Sequence, residues 1–265
     1  MNFFNRIGDR IGHGLARFLT RPIRGFKPST TTDYDQLKRA LRTGDVLLVE
    51  GDTRIATAIK YLTQSTWSHS ALVVGPIEGR AEPDGEPHVL VEVLPEEGVI
   101  SAPLSKYREA HTRICRAAGL SEEERRAVAA YAIARLGHQY DLKNIVDLLR
   151  YFLPTPPVPI RWRRRMIALG SGDPTRAICS TLIAQAFQSV HYPILPRVAR
   201  VDDPQSPVQG EDARKEILHI RHHSLFTPRD FDISPFFAII KPTIEAGFDY
   251  RSVPWASEEP GQQAA

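Results

Sequence analysis

Trp67-Ser68-His69-Ser70-Ala71-Leu72-Val73-Val74-Gly75 is a short apolar run with a histidine at its mouth. Aliphatic and β-branched residues bounded by Gly75-Pro76 read as a strand, expected over Ser70–Val74. A histidine at a strand start is held rigidly and lies where a substrate reaches its ring. A second run, Ile178-Cys179-Ser180-Thr181-Leu182-Ile183-Ala184-Gln185-Ala186-Phe187, has helical spacing. It predicts a helix over Cys179–Val190 with Leu182, Ile183, Ala186, Phe187 and Val190 inward. Cys179 then sits where the positive end of a helix dipole favours the thiolate, the form in which cysteine attacks. Backbone N–H groups at the same helix start can serve as an oxyanion hole. The alternative is that Cys179 is a core residue, as expected of Cys115 in the strand-like Arg113-Ile114-Cys115-Arg116.

Between the two runs lies Val89-Leu90-Val91-Glu92-Val93-Leu94, apolar on both faces of a strand. A carboxylate there costs several kcal/mol unless it is paired. If Ser70–Val74 and Val89–Leu94 are adjacent antiparallel strands, Glu92 lies beside His69, fixing its tautomer and stabilising its protonated form. Pairing with an arginine elsewhere is the competing expectation.

Further strands are expected at Val46–Val49, Val99–Ala102, His111–Cys115 and Phe236–Ile240. Asp33 caps a short helix through Leu41, and Thr43-Gly44-Asp45 is a turn, structural rather than a catalytic acid. A helix over Thr53–Leu62 turns Ile55, Ala56, Ile59 and Leu62 inward. Ser121 and Glu124 form a capping box for a helix running to about Leu136, stopped by Gly137. Leu142–Phe152 is helix-like, and Pro76–Pro87 is an exposed loop. Pro154-Thr155-Pro156-Pro157-Val158-Pro159 is a stiff connector. The basic stretch Ile160–Leu169 is either a solvated helix or a second contact to a membrane or anionic substrate. Residues 200–215 read as a mobile charged loop. His219, His222 and His223 lack the partners of a metal site and read as a solvated basic face; no metal and no cofactor is expected.

Composition is that of a soluble globular protein: 265 residues, 42% hydrophobic and 25% charged. With two cysteines no disulfide framework is expected, and a reducing compartment is the simplest reading. Residues 1–28 hold six basic side chains against one acid, a net +5 that leaves −2 for the rest of a +3 chain. The basic character therefore belongs to the N-terminus, and nucleic acid is not expected as a partner. In that segment Phe4, Ile7, Ile11, Leu15 and Phe18 recur at spacings of three and four, with Arg6, Arg10, Arg17 and Arg21 mostly between them. Two readings stay open: a helix packed on its own domain, or an interfacial helix on an anionic membrane touching it through Phe4, Ile7, Arg10, Ile11, Arg17 and Phe18. Cleaved organellar targeting is a third. No secretory signal and no membrane span is read, so the expected location is cytoplasmic, with peripheral attachment at the inner membrane face as the alternative.

Six pieces in this order resemble a known family: Leu41–Leu48, Trp67–Val74, Val91-Glu92-Val93, Gly137-His138-Gln139-Tyr140-Asp141, Ile178–Ile183 and Thr227–Phe236. They are similar to the permuted papain-like enzymes of the YiiX/YaeF type, relatives of the NlpC-type cell-wall peptidases. Histidine precedes cysteine here, the reverse of papain-type order. The N-terminal arm and the Pro154–Met166 insert lie outside the pattern. The resemblance implies an α+β, circularly permuted papain-like (NlpC-type) fold, with a small antiparallel sheet packed on the helix carrying the cysteine. It implies residues 33–255 as the catalytic domain; outside the pattern, residues 1–32 read as an appended arm, and the polar residues 256–265 as a disordered tail. It further implies a Cys179–His69–Glu92 triad and a thioester acyl-enzyme. Tyr140 matches a position that looks like substrate-pocket lining, a core tyrosine being the alternative, and Trp67 and Ser180 are assigned to substrate binding with it. The expected activity is a cysteine amidase or peptidase acting on a small peptide or amide. The rival is a lipid acyl hydrolase or acyltransferase of the lecithin:retinol acyltransferase kind, and a degenerate binding fold is the non-enzymatic alternative.

Overall fold

The computed structural model describes residues 21, 32–95, 97–139, 178–202, 214–219 and 221–253. The N-terminal arm, Tyr140, the helix-like Leu142–Phe152, the proline connector, the basic stretch after it and the C-terminal tail lie outside the described residues.

Among the described residues the elements run α1 (Tyr34–Ala40), β1 (Val46–Val49), α2 (Arg54–Thr63), β2 (His69–Val73), β3 (His88–Leu94) and β4 (Gly98–Pro103). A 3-10 turn, Leu104–Tyr107, leads to β5 (Thr112–Ala117) and α3 (Glu122–Ile133). Then follow α4 (Ile178–Ser189), β6 (Arg197–Asp202), β7 (Arg214–His219), α5 (Pro228–Ile233), β8 (Phe237–Ile240) and α6 (Pro242–Glu245). Six strands form one antiparallel sheet in the order β4-β3-β2-β1-β5-β8. This is the expected α+β arrangement, a small antiparallel sheet packed on the helix that carries Cys179.

The strand period of two sorts the core into two layers. Val46, Leu48, Leu72, Val91 and Val93 face α3 and α4, where they meet Val128, Ala132, Leu182, Ile183 and Phe187. Leu47, Val49, Ala71, Val73 and Leu90 face the other way, onto Leu37, Leu104 and Tyr107. His69 and Glu92 share the parity of this second set. β1, central and buried at all four positions, is the apolar run Val46-Leu47-Leu48-Val49.

Local signals act as the residues dictate. The Asp33 side chain accepts from Gln36 N–H, and Ser121 with Glu124 closes a capping box. Asp45 anchors its turn as a structural acid: both carboxylate oxygens accept from Arg116 at 2.8 Å, and Oδ2 also accepts from Arg42 N–H at 2.8 Å. Gly98 cannot carry a side chain, since its φ is +74° and a Cβ would meet His138 O at 2.3 Å.

Three expectations need correction. Residues 197–202 and 214–219 form a two-stranded antiparallel ladder, so the ends of the expected loop at 200–215 are strand. The apolar pairs Val198-Ala199 and Ile217-Leu218 are short and flanked by charge, so neither segment shows the period-two alternation by which a strand is read. In α2 the buried side chains are Ala56, Ala58 and Thr63, while Ile55, Ile59 and Leu62 are only half-buried. The helix opened by Ser121 ends at Ile133, with turns from Ala134 to Gly137 rather than helix to Leu136.

Candidate active site

β2 and β3 pair at Leu72–Val91 and Val73–Leu90 only. Val73 N–H donates to Asp45 O beside β1, and Val74 N–H donates to Val89 O of β3. Backbone groups alternate sides along an antiparallel strand, so Ser70 N–H faces the β3 side. The ladder has ended there, and Ser70 N–H is bonded to Cys179 at the start of α4 instead. A donor released by the parting of two strands thus reaches the sulfur.

Around that opening the three residues singled out by sequence meet. His69 Nε2 lies 2.5 Å from Glu92 Oε2, and the His69 side chain also bonds Cys179. The Glu92 side chain has no exposed surface; that of His69 retains 19%. Glu92 is further held by Lys106 Nζ, donating to Oε1 at 2.6 Å, and by Tyr107 O–H, donating to Oε2 at 2.5 Å. The competing expectation of an arginine partner is not met; the extra cation is a lysine.

The electrostatics follow from burial set against partners. Burial pushes the Glu92 carboxyl up, but the His69 hydrogen bond and the charges of His69 and Lys106 outweigh it and bring it to about 2. Burial pushes the His69 imidazole down, yet the bonds and charges of Cys179 and Glu92 raise it to about 10. The Cys179 thiol, pushed up by burial, is held below its ordinary value by His69 and by the hydroxyl and N–H of Ser70. Tyr107 is driven well above the usual phenol, by burial and then by the charge of Glu92. The set favours a thiolate beside an imidazolium, with a charged carboxylate behind.

The remaining candidates are placed differently. Ser180 is fully buried, its Oγ 3.2 Å from Ser70 Oγ and 3.9 Å from Cys179 Sγ. Trp67 is packed in the core, with its Nε1 donating to Asp232 at 3.1 Å. Asp232 also accepts from Arg113 at 2.6 Å. Neither residue fronts an open cleft. Tyr140, Phe4, Ile7, Arg10, Ile11, Arg17 and Phe18 lie outside the described residues. His222 and His223 stack on each other with ring centroids 4.0 Å apart, and Gln185 Nε2 lies 3.3 Å from His223 Nδ1. Among the described residues no group of three His, Cys, Asp or Glu side chains is placed to hold a metal, and no helix is long and apolar enough to cross a membrane.

Sequence reasoning missed Ser70, Lys106 and Tyr107. Ser70 adjoins His69, and its N–H becomes a site group only because β2 and β3 part. Lys106 and Tyr107 come from a loop with no motif; only the unpaired charge of Glu92 hinted that more than one donor was needed.

Residues 40–152 match the family model described as permuted papain-like amidase enzyme, YaeF/YiiX, C92 family. The chain resembles the permuted papain-like amidases. His69, Glu92, Lys106 and Tyr107 fall inside the matched segment, and Cys179 follows it. The permuted papain-like amidase match supports a cysteine hydrolase or amidase in general. Among solved structures, the crystal structure of metalloprotein yiiX from Escherichia coli O157:H7 (DUF1105) is similar at 17% identity and a TM-score of 0.44, covering 76% of this chain and 97% of that one. Among curated proteins nothing matches the chain.

Proposed function

We propose that the chain is a cysteine amidase or peptidase in which Cys179 is the nucleophile, His69 the acid–base and Glu92 the orienting carboxylate. One observation carries the reading: a carboxylate with no exposed surface bonds the same imidazole that bonds the helix-start thiol. Such a carboxylate stays charged only beside a cation, so it favours the imidazolium, and the imidazolium favours the thiolate.

The chemistry follows from that charge arrangement. The Cys179 thiolate adds to the substrate carbonyl carbon, and the negative charge passes to the carbonyl oxygen. Collapse of the adduct breaks the C–N bond as His69 delivers its proton to the departing amine, leaving a thioester. His69, now neutral, takes a proton from water, whose oxygen attacks the thioester carbon. The acid departs and the thiolate–imidazolium pair returns. Glu92 keeps its charge throughout and holds one imidazole tautomer.

The test is intact-mass spectrometry after mixing the protein with short peptidoglycan-type peptides and, separately, with phospholipid vesicles. A peptidyl mass on Cys179, with amine release lost in Cys179→Ala, supports the amidase. A fatty-acyl mass would replace it with lipid acyl transfer, the reading favoured by the alternating arginines and apolar residues of residues 1–28. No adduct with either substrate class, together with turnover unchanged in Cys179→Ala, would remove the cysteine mechanism. Attachment of the arm to an anionic membrane is the companion proposal. Vesicle flotation of the full chain and of a chain lacking residues 1–27 checks it, and equal flotation of both would end it.

A further inference from the structure

Three donors converge on Glu92, and a His–carboxylate pair needs only one of them. Lys106 and Tyr107 are consecutive on the turn Leu104–Tyr107, which directly follows β4, the strand paired with β3 through Ile100 and Glu92. Leu104 and Tyr107 are buried and anchor the turn in the core, while the Lys106 side chain between them is 35% exposed. The Tyr107 ring also lies 6.3 Å from the His69 ring. One rigid turn therefore grips both oxygens of the carboxylate and packs near the imidazole that the carboxylate orients. We propose that Lys106 and Tyr107 are positioning residues of the site: they lock Glu92 in one orientation, and the Lys106 charge keeps the carboxylate ionised while restraining how tightly His69 holds its proton. This rests on the Cys179–His69–Glu92 reading.

The physical reason is a charge count. Thiolate, imidazolium, carboxylate and ammonium alternate in sign and sum to zero, which lowers the cost of keeping charges in a shielded site. Without Lys106 the site would carry a net negative charge, and an imidazolium held too firmly gives up its proton poorly to a leaving group. The groups facing Glu92 are His69 from β2 and Lys106 and Tyr107 from the turn, with Cys179 of α4 behind His69. On its outer side Lys106 shares the rim of an open depression of about 560 Å³ with Glu82, Asp84 and Glu86. Those acids have other partners: Glu82 bonds His88, Glu86 accepts from Tyr34 O–H and Ser105 N–H, and Asp84 accepts from Glu86 N–H.

The experiment is the pH profile of Cys179 alkylation by iodoacetamide in the full chain, for wild type, Lys106→Met, Lys106→Arg and Tyr107→Phe. Removing a positive charge raises the proton affinity of every group it faced. Lys106→Met is expected to move both inflections of the profile to higher pH by about one unit, so that alkylation on the acidic limb falls about tenfold. Lys106→Arg should restore the wild-type inflections. Tyr107→Phe, which keeps the packed ring, should move them in the same direction by less. A Lys106→Met profile lowered in height with its inflections unmoved would mean a merely structural turn and would overturn the proposal. If Lys106→Met does not fold, unmoved inflections in Tyr107→Phe overturn it equally. Failure of the underlying triad reading looks different, because His69→Ala would then leave Cys179 alkylation at the wild-type rate.

Discussion

Cys115 and Cys179 are both almost wholly buried, at 0% and 6% exposure, and they tend in opposite directions. Cys115 lies mid-strand in β5, between Val46 of β1 and Ile239 of β8. Burial drives its thiol far up, and the nearby Asp232 adds to the rise while Arg113 offsets only part of it. Cys179 suffers the same burial penalty but faces His69 and the two donors of Ser70, and these reverse the sign. Burial alone does not decide whether a cysteine is inert. The partner that burial encloses with it does.

The largest expected effect is on the partner. His69→Ala should cost peptide amide hydrolysis roughly a thousandfold, measured as amine release. A variant retaining near-wild-type turnover would erase the distinction between the two cysteines. Next is the direct comparison: at pH 6.5, iodoacetamide should label Cys179 at least about a hundred times faster than Cys115, read by peptide mapping. Equal slow rates at both would place Cys179 with Cys115 as a core residue.

The charges around β5 should prove structural where those around α4 should prove chemical. Asp45→Ala leaves Arg116 without its carboxylate partner and should cost about 3 kcal/mol in urea unfolding. Cys179 labelling in the folded variant should stay at the wild-type rate. Glu92 gives a pH signature of its own. Its folded carboxyl lies at about 2, below the ordinary carboxylate value of 4.5. Its stabilisation is therefore full above that value and is lost as pH falls toward about 2. Wild type should exceed Glu92→Gln by about 3 kcal/mol near neutrality, the gap shrinking below pH 4.5, with thermal melts across that window as the check. A gap that stays constant down to low pH would mean that the carboxylate is not held charged by its neighbours. The smallest effect is Cys115→Ala, a shallow cavity costing about 1 kcal/mol, with Cys179 labelling untouched.

What was legible in the sequence was what one segment states about itself. The strand at His69, the helix at Cys179, the Ser121 capping box and the Asp33 cap are local patterns, and the structure has each within a residue or two. Glu92 was legible because a charge in a doubly buried strand demands a partner. The ladder of Arg197–Asp202 with Arg214–His219 was missed because its apolar residues come as short runs among charges, with no period-two alternation to read. In α2 periodicity found the helix, but the identity of the body beneath it set which positions are buried.

The sequence by itself determined the strands of the main sheet, its longer helices and the three residue types with reason to meet, since periodicity and the cost of a buried charge are written in single segments. Only the tertiary structure decided how the site is completed. The parting of β2 and β3 frees Ser70 N–H for Cys179, and the turn after β4 carries Lys106 and Tyr107 to Glu92. A released ladder donor and a lysine from a loop have no local signature, because what they do depends on which strands part and which loop lies beneath them.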